Sequence, residues 1–255
     1  MSDSAQAVVT GVGSEARRAR RQLASLSRPA AQFEAKRYFR GDTGLGFYNV
    51  GTTAVRGLAR SIVADHRGEW TVKHAQRFAD LLIVDRYLEV KGLGVEVLAR
   101  YRRDFTRALL PGWKRWLARG YSANWATTDT ICGLLIGPLL VAEPSLITAM
   151  PVWARDRNLW VRRASAVSLI LPVRKKLALT TAYRIARMLH PDKEDLIQKA
   201  VGWLLREAGK VAPEKLEAYL LANGPAIPRT TVRYAIERFD DTTRKSLLTA
   251  TLPLR

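Results

Sequence analysis

A chain of 255 residues, 47% of them apolar, is long enough to bury a sizeable core. Its 42 Lys and Arg against 23 Asp and Glu leave a formal charge of +19, which asks for a polyanionic partner, nucleic acid first. A ribosome-like tail or a basic membrane-binding patch are the plainer alternatives, and the single cysteine, Cys132, excludes an internal disulfide and argues against structural zinc.

Residues 1 to about 13 lack apolar periodicity and are expected to be a disordered N-terminus, with residues 14–255 forming a single domain. From there, apolar residues recur at three- and four-residue spacing in one segment after another. "SEARRARRQLASL" (14–26) comes first, then "TTAVRGLARSIVADH" (52–66) and "KHAQRFADLLIVD" (73–85). "VEVLARYRRDF" (95–105), "WVRRASAVSLIL" (160–171), "LALTTAYRIARML" (177–189) and "DLIQKAVGWLLREAG" (195–209) follow. The breaks are short: "SRP", "RGDTGLG", "LPG", "EPS", "HPDKED", "VAPE" and "NGPAIP" carry Pro, Ser or Asp for helix starts and Gly for helix ends. Strand patterns are scarce, so the chain reads as all-α.

Helices paired in series make units of roughly 35–45 residues, the range of HEAT-like repeats, and a solenoid of them explains the charge pattern. "RRARR" (17–21), "YRRDFTR" (101–107), "RDRNLWVRR" (155–163) and "VRKK" (173–176) are spread along folded elements, each able to add a cation to one concave basic face. A compact helical bundle is the other all-α solution. The longest apolar run, "ICGLLIGPLLV", has eleven residues with Gly and Pro inside it, too short to span a bilayer. No secretory leader pattern opens the chain, and a cytoplasmic protein is expected.

Chemistry-bearing motifs are few. No GxxxxGK[ST], GxGxxG, HExxH or nucleophile elbow is present, and His66, His74 and His190 show no metal-ligand spacing. No cofactor and no metal are therefore expected. One constellation stands out: in "ANWATTD" (123–129), Trp125 and Asp129 lie four positions apart and share a helix face. Taken singly, a helical tryptophan is usually core, a lone carboxylate usually solvated or capping, and paired arginines usually a solvated surface.

Three patches change those odds: "NWATTD" (124–129), "NLWVRRASAV" (158–167) and "LIQKAVGWLLREAGK" (196–210). A fainter one, "FYNVGTTAVRGLARSI" (47–62), precedes them, and "IPRTTVRYAIERF" (227–239) follows. In this order the chain resembles the AlkD-like family of DNA alkylation repair glycosylases, built from HEAT-like repeats, over about residues 33 to 240. The resemblance implies a monofunctional DNA glycosylase for cationic N3- and N7-alkylated purines in double-stranded DNA, acting in base excision repair. It places the catalytic aspartate on Asp129, the lesion-facing rings on Trp125 and Trp203, and the DNA-gripping arginine on Arg163 beside Arg162. Thr52, Arg56, Arg174 and Arg233 fall near backbone-contacting positions. Lys199, one turn from Trp203, reads as a phosphate contact or surface charge, so no lyase activity is expected. Asn124 and Ala126 stand where relatives carry aromatic and acidic residues, and Val50 and Gly51 depart from the early motif. Nothing in the sequence demands more than a monomer, and the expected location is the bacterial cytosol or nucleoid.

The chemistry is consistent. A cationic purine is already a good leaving group, so one carboxylate can replace the usual acid–base pair by stabilising the oxocarbenium-like sugar and positioning water. Two rivals remain: a non-catalytic scaffold that binds damaged or bent duplex, and a helical repeat protein whose charge serves an acidic protein partner.

Overall fold

The computed structural model describes residues 3–29, 34–39 and 44–252; the first four residues of the expected break "RGDTGLG" (40–46) lie outside them. All regular elements among those residues are helical, without a β-sheet; one isolated bridge joins Gly46 to Tyr87. The chain is all-α. Its packing forms two compact units, Met1–Leu135 and Ile136–Arg255.

In the first unit, α1 spans Asp3–Ser25, α2 Thr52–Asp65, α3 Val72–Ile83, α4 Leu88–Ala99, α5 Leu110–Ala118 and α6 Trp125–Ile131. Helix α1 begins at Asp3, inside the segment 1–13 that lacks apolar periodicity in the sequence. Val12, Ala16, Ala19 and Leu23 form its buried stripe at helical spacing. Thr71 and His74 cap the start of α3 reciprocally, the Thr71 amide donating to Nδ1 of His74 at 3.0 Å. The centre of the unit is α4, against which α1, α2, α3 and α6 all pack. Val90, Leu93, Val95, Val97 and Leu98 of α4 are all buried, so no single apolar stripe marks it. Gly94 lets α3 approach closely: a Cβ there would sit 3.2 Å from the Ala79 backbone. The amphipathic pattern read over 95–105 ends early, since α4 stops at Ala99 and a 3₁₀ turn takes Arg102–Asp104.

In the second unit, α7 spans Gly137–Ala142, α8 Met150–Trp153, α9 Leu159–Val167, α10 Ile170–Arg174 and α11 Leu179–Leu189. They are followed by α12 Asp195–Val211, α13 Pro213–Asn223, α14 Arg229–Ala235 and α15 Asp241–Ala250. Here α12 is the spine, contacted by α9, α10, α11, α13 and α14. Gly202 permits α14 to approach closely, because a Cβ on it would meet the Tyr234 Cβ at 2.4 Å and the Thr231 carbonyl at 2.9 Å. His190 is buried in this core: burial, then Arg187, lowers its pKa to about 4, and its Nε2 shares a hydrogen bond with the Tyr219 hydroxyl at 2.9 Å.

Between α6 and α7 the chain makes a π-turn over Cys132–Ile136. Pro138 lacks an N–H and would crowd the carbonyl four residues back, so widening the helix here relieves both problems. By length and composition the helical stretch Trp125–Ala142 is long and apolar enough to cross a membrane, 18 residues with mean hydropathy 1.4. That exceeds the eleven-residue run considered from the letters, but half of it is buried within the protein, as in a core helix.

Candidate functional site

The N-terminus of α6 is fixed from several sides. Asn124 adopts an extended N-cap conformation, its side chain accepting from the Thr127 amide at 2.7 Å while its Nδ2 donates to the Thr127 hydroxyl at 3.0 Å. The Thr128 hydroxyl donates to the Ser122 carbonyl at 2.8 Å, tying the helix back to its leading turn. Thr127, Thr128 and Ile131 form the buried face. The opposite face carries Trp125, which is 36% exposed, and the half-buried Asp129 one turn on. The pair read from the sequence does share one side of one helix.

A neighbour absent from the sequence reading supports Trp125. Its indole N–H donates to the Tyr38 carbonyl at 3.2 Å, and its ring stacks on Phe39 at 5.5 Å and 23°. Phe39 in turn leans on Phe47 at 5.4 Å. Tyr38 itself is 63% exposed. This aromatic run, "YF" at 38–39, lies between segments with no helical periodicity, so only its aromatic content could have drawn attention to it.

Thr52 opens α2 after the Gly51 N-cap and is exposed. Arg56, one turn on, pairs with Glu96 of α4 at 2.8 Å while remaining more than half exposed. The loop leading to them is held by Glu89 of α4, whose carboxylate accepts from the Tyr48 amide at 3.1 Å and the Val50 amide at 3.2 Å. Stacking of Tyr48 on Tyr87 at 3.9 Å and 6° adds to that anchor.

The remaining candidates belong to the second unit, around α12. Trp203 is half-buried there, one turn from Lys199 and one turn from Glu207. Lys199 pairs with Asp195 at 2.7 Å. Glu207 is buried and accepts from Arg174 at 2.8 Å and Lys210 at 2.7 Å. Burial pushes its carboxyl up, but those two hydrogen bonds outweigh it and hold it below the ordinary range. Arg233 is exposed on α14.

The adjacent arginines of α9 both hydrogen-bond within the protein. Arg162 donates to Asp192 at 2.7 Å and to the carbonyls of Asp156 and Arg157 at 3.1 and 2.9 Å. Arg163, read as the DNA-gripping residue, is only 5% exposed, and its guanidinium donates to the Leu196 carbonyl in the first turn of α12. The physical reason is helical geometry: one residue advances the helix by about 100°, which turns Arg163 inward onto α12. Both arginines bind protein in this structure.

A family model described as DNA alkylation repair enzyme matches residues 19–239. The chain belongs to that family. A solved structure of a predicted DNA alkylation repair enzyme from Enterococcus faecalis is similar at a TM-score of 0.72 and 14% identity. It covers 84% of this chain and 97% of its own, a likeness that shows the shared all-α fold. No curated relative matches the chain. Membership of the alkylation repair family gives the protein a role in DNA alkylation repair.

Proposed function

We propose that the protein is a monofunctional DNA glycosylase that hydrolyses the N-glycosidic bond of cationic N3- and N7-alkylpurines in duplex DNA. The observation that carries this reading is the helix face shared by the exposed Trp125 and the half-buried Asp129 at a firmly capped helix start. Alkylation at N3 or N7 gives the base a positive charge, so it leaves without protonation. As the bond breaks, positive charge develops on the deoxyribose, and Asp129 stabilises it and orients the attacking water. A carboxylate about 4 Å from that charge contributes roughly 4 kcal/mol at an effective dielectric near 20, close to a thousandfold in rate. Trp125 supplies a cation–π surface worth about 0.5–2 kcal/mol, which favours a charged lesion over a neutral nucleotide. Trp203 has the same cation-seeking chemistry, and Trp203→Ala tests its share.

Phosphate contacts are assigned to the exposed cations Arg56, Arg174 and Arg233, with Thr52 and Lys199 beside them. Arg162 and Arg163, bonded as they are, tie α9 to the α11–α12 turn and to α12. The test is chromatographic: purified protein incubated with methylated duplex is expected to release 7-methylguanine or 3-methyladenine. Salt-sensitive duplex binding without release of any base would instead support the non-catalytic scaffold.

A further inference from the structure

Two buried charges on α4 have no part in the chemistry above. Glu89 is 7% exposed and Lys91 is 6% exposed, and they stand two positions apart. That spacing turns their side chains about 200° from each other around the helix, so they leave α4 in nearly opposite directions. Glu89 reaches the loop before α2, accepting the Tyr48 and Val50 amides. Lys91 reaches the other way, its ammonium donating to the Ile83 carbonyl at 2.7 Å and the Tyr121 carbonyl at 2.8 Å. Ile83 ends α3, and Tyr121 lies in the turn that leads through Asn124 into α6.

We infer that Glu89 and Lys91 are positioning residues, Glu89 holding the start of α2 for DNA contact and Lys91 holding the start of α6 for catalysis. Each buried charge binds only backbone atoms, and each binds backbone just ahead of a different candidate element. Neither arrangement is an obvious gain in stability. Burial pushes the Lys91 ammonium down to about 8, against a smaller opposing pull from Asp85, so the protein keeps a charge that the site disfavours. The bonds it makes there locate the turn at 121–124. The division of labour rests on the glycosylase reading for its rate component, while the geometric component stands apart from it.

The experiment compares the full-length wild-type protein with Glu89→Gln and Lys91→Met, with Glu89→Asp and Lys91→Gln as milder versions. Two readouts are taken: amide hydrogen exchange, and duplex affinity alongside single-turnover base release at saturating protein. Glutamine at 89 keeps one acceptor but turns an N–H donor toward a second backbone N–H, so the loop should open. Exchange should quicken over 46–52 in Glu89→Gln and over 121–131 in Lys91→Met, each variant leaving the other segment unchanged. Glu89→Gln should weaken duplex affinity roughly tenfold and leave the saturating rate within about twofold, as expected for loss of one charge-assisted hydrogen bond at a binding segment. Lys91→Met should do the reverse, lowering the rate roughly tenfold with affinity held within about twofold. Lys91→Gln, which keeps amide donors, should recover part of that rate. A general loss of stability would move both segments and both constants together, and that outcome, or no change in either segment, overturns the inference. If the wild-type protein releases no base, the glycosylase reading fails on that result, while the exchange patterns still decide the inference.

Discussion

Replacing Gly202 with Ala should weaken the second unit, and the size of the effect follows from its neighbours. The added Cβ would lie 2.4 Å from the Tyr234 Cβ and 2.9 Å from the Thr231 carbonyl oxygen. Carbon atoms pack best at about 3.5–4.0 Å, so α12 and α14 must separate by about 1 Å. Neither obstacle is the end of a flexible side chain, and the Thr231 hydroxyl, which donates to the Gln198 carbonyl at 2.9 Å, would be pulled with it. Overpacking of this kind costs about 1–3 kcal/mol, offset by up to about 1 kcal/mol from the better helix propensity of Ala. The net expectation is a loss of about 1–2 kcal/mol, read in urea as a lower midpoint with an unchanged slope. Gly92→Ala is the control. A Cβ at Gly92, inside α4, meets nothing within 4 Å, so only the propensity gain remains, about 0.5–1 kcal/mol. If Gly202→Ala proved as stable as wild type or more so, α12 and α14 would not approach one another as described.

Other expectations can be tested alongside. Asn124→Ala removes the N-cap acceptor of α6 and a buried partner of Thr127; a loss of about 1–2 kcal/mol in urea unfolding is expected, and no loss would dismiss the cap. Glu207 has a folded pKa below its unfolded value, so its contribution is present above the ordinary carboxylate range and is lost as the pH falls through the folded pKa. Stability measured against pH should therefore fall less steeply in acid for Glu207→Gln than for wild type. For Lys91 the sign is opposite. With its pKa lowered to about 8, the unfolded chain binds more protons between that value and 10.5, so stability should rise with pH across this window. The slope should be at most about 1.4 kcal/mol per pH unit and should vanish in Lys91→Met. Arg233→Ala should lower the salt dependence of duplex binding by about 0.9 log units per log unit of salt if the exposed guanidinium neutralises one phosphate.

Amphipathic helices were legible from the letters alone, and α2, α3, α11 and α12 begin and end close to where periodicity and capping residues place them. The first half of α4 was not, because residues 88–94 are buried on nearly every side, place the charged Glu89 and Lys91 among the apolar positions and carry two glycines, leaving no stripe to detect. The division into two units is hidden for a similar reason. It falls at Leu135 and Ile136, inside an apolar helical run rather than a polar linker. At the candidate site, four-residue spacing was enough to put Trp125 and Asp129 on one face. It could not distinguish Arg162 from Arg163, since which of two adjacent arginines turns inward depends on where α12 packs. Nor could it find Phe39 against Trp125, or Glu89 under the α2 loop, because those contacts join residues 86 and about 40 positions apart.

The central claim is that the Asp129 carboxylate stabilises charge on the sugar, and single-turnover release of methylated purine by Asp129→Asn tests it most directly. The substitution keeps size and removes charge. The expected result is a rate roughly a thousandfold below wild type with duplex affinity nearly unchanged. A rate equal to wild type would contradict the claim and leave the carboxylate without a catalytic role.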